Sequence, residues 1–244
     1  MRVAWRLLPV LAGLGLFAGA AHASPIVLDF EGVNATYPPS APAQVLGFYN
    51  GGTSSDGTSG PNFGIGFTDS SLAICLNSPG ISCSNASRGG AGSPASARGG
   101  LFSLSGTETF MNVPAGFDTG FSFFYAAIND PSSVSVYAGL GGTGSLLATL
   151  NLPTTPSGCD VSLYGADLCP FLPSGIGFSG TAQSVSFAGV AGQVVFDDIT
   201  FGSTTPGGLT PVPEPASLVL FGAGLSGIAL AAWRRRKSRP PTAA

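Results

Sequence analysis

Histidine is all but missing from these 244 residues: His22 is the only one. It lies in an N-terminal segment of removable type, so the mature chain offers no neutral imidazole as base, proton shuttle or metal ligand. Lysine occurs once, at Lys237, and residues 24–205 contain only Arg88 and Arg98 as cations. Against these two stand eleven carboxylates (Asp29, Glu31, Asp56, Asp69, Glu108, Asp118, Asp130, Asp160, Asp167, Asp197 and Asp198), a formal charge of −9 that the whole-chain value of −3 conceals. So acidic a domain repels phosphate backbones, which argues against a nucleic-acid partner. No nucleophile elbow, P-loop or dinucleotide fingerprint is present, and glycine-rich residues 139–144 lack the lysine and following helix of a phosphate cradle. Adjacent Asp197 and Asp198 point to opposite faces of a strand and no motif marks a second acid, so a two-carboxylate glycosidase site does not assemble. The chain reads as non-catalytic.

What fills the space is glycine, serine and short apolar alternations. Phe121, Phe123 and Tyr125 oppose Ser122 and Phe124; Val134 and Val136 oppose Ser133 and Ser135; Val185 and Phe187 oppose Ser184 and Ser186. Period-two patterning of this kind marks half-buried strands, with serine on the outward face. Further strands are expected at residues 26–31, 63–68, 101–105, 107–113, 146–151 and 194–201. Turn chemistry separates them, at 50–52, 129–131, 139–144 and 173–175. With no helical period between the two ends, the expectation for residues 24–202 is one all-β domain, an antiparallel sandwich of jelly-roll type. Residues 51–60 and 84–100 read as surface excursions, the second holding both arginines. Residues 203–211, STTPGGLTP, read as a linker.

Four cysteines form two local pairs, Cys75 with Cys83 and Cys159 with Cys169, and predict two disulfides in an oxidising compartment. The spacing lacks the C-x-x-C of a zinc site, and no histidine remains to activate a thiol.

Both ends are addresses. Arg2 and Arg6 precede an apolar run at 7–20, and Ala21 and Ala23 supply the small residues a signal peptidase needs, so residues 1–23 read as a signal peptide. At the other end Pro213, Glu214 and Pro215 are followed by eighteen uncharged residues, 216–233, then by Arg234, Arg235, Arg236 and Lys237. The prolines bar a helix from starting earlier. Eighteen helical residues span about 27 Å, enough to cross a bilayer once, and the cationic stop-transfer cluster places residues 238–244 in the cytoplasm. One C-terminal transmembrane helix is therefore expected. The tail VPEPASLVLFGAGLSGIALAAWRRRK resembles the PEP-CTERM sorting domain, also known as the ice-binding protein C-terminal domain, of exported proteins from exopolysaccharide-secreting Gram-negative bacteria. The resemblance implies that an exosortase-type transpeptidase in the inner membrane recognises the tail, cuts near the triplet, and passes the periplasmic domain to the cell surface or biofilm matrix. A permanent tail anchor is the simpler alternative.

The domain opens on Ile26-Val27-Leu28-Asp29-Phe30-Glu31-Gly32 and closes on Val195-Phe196-Asp197-Asp198-Ile199-Thr200-Phe201. These strands are similar to the first and last strands of jelly-roll carbohydrate-binding modules. That resemblance implies Asp29 or Glu31 with Asp197 or Asp198 as oxygen ligands of a structural calcium. Alternation puts Asp197 on the face of Val195, Ile199 and Phe201; the alternative is an edge aspartate satisfied by amides and water. Phe48, Tyr49, Tyr137 and Tyr164 are candidate stacking platforms for polysaccharide, whereas the regular Thr-x-Thr arrays that favour ice are absent.

Overall fold

The computed structural model describes residues 26–76, 83, 96, 98–127, 129–155 and 171–207, all β apart from one 3₁₀ turn at Leu140–Gly142. Twelve strands form two antiparallel sheets. The first holds β1 (Val27–Leu28), β2 (Ala43–Gln44), β4 (Leu72–Cys75), β5 (Gly99–Phe102), β7 (Gly120–Ala127), β10 (Leu172–Gly177) and β12 (Val194–Phe201). Their order is β10-β7-β12-β5-β4-β2, with β1 also on β12. The second, ordered β3-β6-β11-β8-β9, holds β3 (Gly66–Phe67), β6 (Glu108–Phe117), β8 (Ser132–Tyr137), β9 (Leu146–Leu152) and β11 (Ala182–Ala188). From β5 onward the chain changes sheet at every step except β8 to β9, so neighbours in a sheet are remote in sequence. Among the described residues no helix is long and apolar enough to cross a membrane. The expected span at 216–233 lies outside them, as do residues 1–23, the Pro213-Glu214-Pro215 triplet and the Arg234 to Lys237 cluster.

The all-β sandwich expected from the alternation is the observed architecture. Val134, Val136, Val185 and Phe187 face the core between the sheets, joined there by Phe121, Phe123 and Phe196. Phe187 and Phe196 meet at 4.8 Å between ring centroids.

The outer faces depart from expectation. Phe124 and Ala126, on the reverse of β7, join Ile74, Leu76, Phe102, Phe171 and Val195 in a second apolar cluster, so the central strands β5, β7 and β12 of the larger sheet are covered on both sides, while edge strand β10 is not. Ser184 and Ser186, expected outward and solvated, are buried too. The Ser184 hydroxyl donates to the Gly139 carbonyl and accepts from the Gly142 amide, while Ser186 donates to Glu108 Oε2 at 2.7 Å. The glycine-rich 3₁₀ loop offers its backbone as partner to Ser184, and a carboxylate of the neighbouring strand β6 serves Ser186. Residues 173–175, expected as a turn, lie within β10, which pairs with β7 from Leu172↔Tyr125 to Gly177↔Gly120. Pro173 is tolerated because β10 is an edge strand that needs donors on one side only.

The excursion expected at 51–60 is instead tied down. Thr53 bridges to Ser59, buried Ser54 shares a hydrogen bond with Thr58, and the Thr58 hydroxyl donates to the Val33 carbonyl at 2.8 Å. Hydroxyls fasten this loop where apolar side chains are lacking. Cys75 and Cys83 are joined as expected, with Cα atoms 5.9 Å apart. Cys159 and Cys169 lie outside the described residues, as do Tyr164 and Arg88.

Candidate functional site

Strand β12 changes partner halfway along one flank. Phe196 pairs with Leu101 of β5, whereas Ile199 and Thr200 pair with Leu28 and Val27 of β1. Asp197 and Asp198 occupy the handover. Here Asp198 has φ 47°, and the register against β7 slips between Asp197 and Thr200, which makes a bulge. The bulge resets the alternation: Val194 and Phe196 face the inter-sheet core before it, Ile199 and Phe201 after it. Expecting Val195, Asp197, Ile199 and Phe201 on one face was therefore wrong, because Val195 belongs to the outer cluster.

The chain leaving β1 is bent to meet this bulge. Phe30 has φ 56°, rare for a bulky residue and held only where the surroundings over-determine it. Those surroundings are explicit. The Phe30 amide donates to the Tyr49 hydroxyl at 2.7 Å, and the Tyr37 hydroxyl donates to the Phe30 carbonyl at 3.3 Å. The Phe30 ring lies edge-on to Tyr49 at 5.7 Å. The turn then directs Glu31 back to β5, where Oε1 accepts from the amides of Arg98 at 2.7 Å and Gly99 at 3.0 Å. Gly99 is required for this approach, since a Cβ there would stand 2.2 Å from the Phe30 carbonyl oxygen. Arg98 is thus the residue leading into β5 rather than part of a loose loop.

Asp197 is fully buried. Its Oδ2 accepts from the Ser96 hydroxyl at 2.8 Å and its Oδ1 from the Asp198 amide at 2.7 Å. Burial pushes the Asp197 carboxyl well above the ordinary carboxylate range, and the charges of Asp198 and Glu31 add to it against those two hydrogen bonds. Burial likewise raises the Tyr49 hydroxyl, with Asp29 next in effect and Asp197 contributing. Exposed Asp29 accepts from the Glu31 amide at 3.2 Å and from Tyr49 at 3.5 Å. All four expected acids therefore gather around one bulge, although among the described residues no three His, Cys, Asp or Glu side chains are disposed to hold a metal ion.

Sequence reasoning missed Ser96, Tyr37 and the amides of residues 98 and 99. Ser96 stands 101 positions from Asp197 and no local pattern marks it. Tyr49 was read for another role: Phe48 and Tyr49 are buried against each other at 5.0 Å, so neither is a stacking platform. Tyr137 is half-buried. Elsewhere an open groove of about 560 Å³ at the ends of β8, β9 and β11 is lined by Pro131, Ser132, Ser133, Asn151 and Pro153 among others, without an aromatic ring.

Residues 211–237 match the PEP-CTERM protein-sorting motif. The chain carries this signal, which marks an exported protein, membrane-anchored before processing through an exosortase. No curated protein matches the chain. Among solved structures it is similar to the K2 cleaved adhesin domain of Lys-gingipain, at 12% identity over 73% of this chain and 98% of that one, with a TM-score of 0.39. It is also similar to the K1 cleaved adhesin domain of Lys-gingipain from Porphyromonas gingivalis W83, at 14% identity over 58% and 91% of the two chains, TM-score 0.35. A third is CsCBM6-3 from Clostridium stercorarium, solved with cellobiose, at 17% identity over 55% and 86%, TM-score 0.30. At these scores none of the three bears on what this chain binds.

Proposed function

We propose that this chain is a non-catalytic protein of the bacterial surface or extracellular matrix. A signal peptidase removes residues 1–23, the span at 216–233 holds the folded domain on the periplasmic side of the inner membrane, and an exosortase-type transpeptidase passes it outward to the exopolysaccharide or biofilm. The sorting motif at 211–237 carries this reading. We read the strand order, in which β12 lies between β5 and β7 and β11 between β6 and β8, as a jelly roll, a scaffold that serves binding and structural roles alike. The test is the mass of the mature protein, intact and by C-terminal peptide, from a producing host with and without its transpeptidase. Loss of the tail only when the enzyme is present is the expected result. An intact tail in both strains would leave a membrane-tethered periplasmic protein and end the matrix reading.

A structural calcium belongs to the same proposal. Asp29 or Glu31 with Asp197 or Asp198 would hold it, completed by backbone oxygens, for a cation that takes six to eight oxygen ligands. The support is the fully buried Asp197 carboxyl, whose charged neighbours among the described residues, Asp198 and Glu31, are both acids. A buried carboxylate in that company is costly unless neutralised by a proton or a cation. Bound calcium would supply charge compensation to the fold, not chemistry. Titration calorimetry that shows no calcium binding, together with an unchanged melting temperature on chelation, would end this part. The runner-up, a carbohydrate-binding or ice-binding module, loses two of its platforms to the burial of Phe48 and Tyr49.

A further inference from the structure

The segment after β12 does not leave the domain at once. Gly202, at φ 76°, donates its amide to the Gly120 carbonyl at 2.9 Å and turns the chain back over the outer face of the larger sheet. Ser203 and Thr205 close a small turn, the Thr205 amide donating to Ser203 Oγ at 3.1 Å, and the Gly207 amide donates to Thr200 Oγ1 at 3.0 Å. Three glycines leave room beneath. A Cβ on Gly175 would stand 2.1 Å from the Thr204 carbonyl oxygen, one on Gly120 2.9 Å from the Ser203 carbonyl carbon, and one on Gly177 3.6 Å from the Thr204 methyl. Residues 203–207, half of the expected linker, thus form a strap laid on the sheet. Beside it Ser122 pairs with both Gly175 and Thr200, and its fully buried hydroxyl finds no hydrogen-bond partner among the described residues. One feature holds the strap down and the other opposes it: the glycine bed admits it, while an orphaned hydroxyl costs free energy that water would return if the strap lifted.

We infer that this strap is a positioning element for the sorting reaction, setting how much free chain lies between the folded domain and Pro213. The inference rests on the sorting reading proposed above. With the strap docked, residues 208–212 separate Gly207 from Pro213, a reach of about 20 Å when fully extended. With it lifted, the tether starts at Gly202 and reaches about 38 Å. The docked state crowds a folded domain of fixed width against the membrane-bound transpeptidase; the lifted state relieves this, so processing follows strap release. Gly120, Gly175, Gly177, Ser122 and Thr200 are its positioning residues, and none of them touches the scissile region.

The test uses full-length protein in a producing host, with hydrogen exchange of peptides covering residues 203–207 on the purified chain and pulse-chase measurement of tail removal. Gly175→Ala should lift the strap, raising exchange at least tenfold and speeding tail removal several-fold. Ser122→Ala should do the reverse in both measurements. Thr200→Val, which deletes the acceptor for Gly207, guards against a folding defect in Gly175→Ala and should act in the same direction. Inserting six Gly/Ser residues after Gly207 supplies the missing reach, so the chain should be processed fast and become indifferent to Gly175→Ala and Ser122→Ala. Variants that altered processing only by destabilising the fold would keep their effect after the insertion. Equal processing of wild type and variants, with the exchange changes present, overturns the positioning role and leaves the sorting reading intact. Absence of processing in wild type despite an active transpeptidase overturns both.

Discussion

The two sheets are built by different rules. In the five-stranded sheet, β8 alternates strictly between core and partly exposed positions, and its neighbour β11 keeps one face to the core. In the seven-stranded sheet every residue of β5 and β12 is buried, and β7 is buried at all but one position. A strand with one partly exposed face, such as β8, needs only an alternating sequence. A sheet covered on both faces must find partners for any polar group it holds, and this is where the buried Asp197, the orphaned Ser122 hydroxyl and the left-handed Asp198 all lie. The tolerant sheet supplies the frame, and the covered one carries the features that go beyond packing.

The comparison breaks most visibly at its hinge. Phe196 of the covered sheet packs against Phe187 of the other at 4.8 Å and against Phe123 of its own at 5.4 Å. Phe196→Ala should cost about 3–5 kcal/mol in urea unfolding, as large aromatic truncations in cores do. Replacing both Cys75 and Cys83 by serine, at the end of β4, should cost about 2–3 kcal/mol for so short a closed loop, again by urea unfolding.

Asp197 sharpens the contrast through pH. With its carboxyl raised by burial, the folded chain holds this proton more tightly than the unfolded one. In chelator, stability should therefore fall as pH rises from the ordinary carboxylate range, about 4, through the folded value, with the contribution fully present only below that window. Asp197→Asn should remove this slope in a series of melting temperatures, and saturating calcium should flatten it in wild type. Ser122→Ala, relieving an unpartnered hydroxyl, should stabilise by about 1 kcal/mol. Its counterpart in the five-stranded sheet, Ser135→Ala, should change unfolding by no more than about 0.5 kcal/mol, since Ser135 is partly exposed and its hydroxyl lies 3.2 Å from that of Thr149 on the same exposed face.

What could be read from the sequence follows the same division. Val134 and Val136 announce their strand because its other face is partly exposed, and Val185 and Phe187 announce theirs because serines alternate with them even though Ser184 and Ser186 are buried. The bounds of β12 were legible as well, yet its facing was not, because a left-handed aspartate is invisible to a period-two pattern. β10 hid behind Pro173 and Gly175, which signal a turn unless one knows that the strand sits at an edge and under a strap. The acids Asp29, Glu31, Asp197 and Asp198 were found by resemblance, whereas Ser96, Tyr37, Tyr49 and the amides of 98 and 99 reach the same place by long-range contact. The sorting tail was the easiest reading of all, since a triplet, an apolar run and a cationic cluster are adjacent in sequence and owe nothing to the fold.

The bulge at Asp197 and Asp198 gives β12 something like a reading frame. Upstream of it the even-numbered residues Val194 and Phe196 point into the core, and downstream the odd-numbered Ile199 and Phe201 do. Straightening the strand there without removing a residue would put the second half out of phase, turning Thr200 inward and Ile199 and Phe201 outward, whereas deleting one of the two acids would leave plain alternation. Two adjacent acids thus act as punctuation, and a strand that looks continuous is two words whose meaning depends on the space between them.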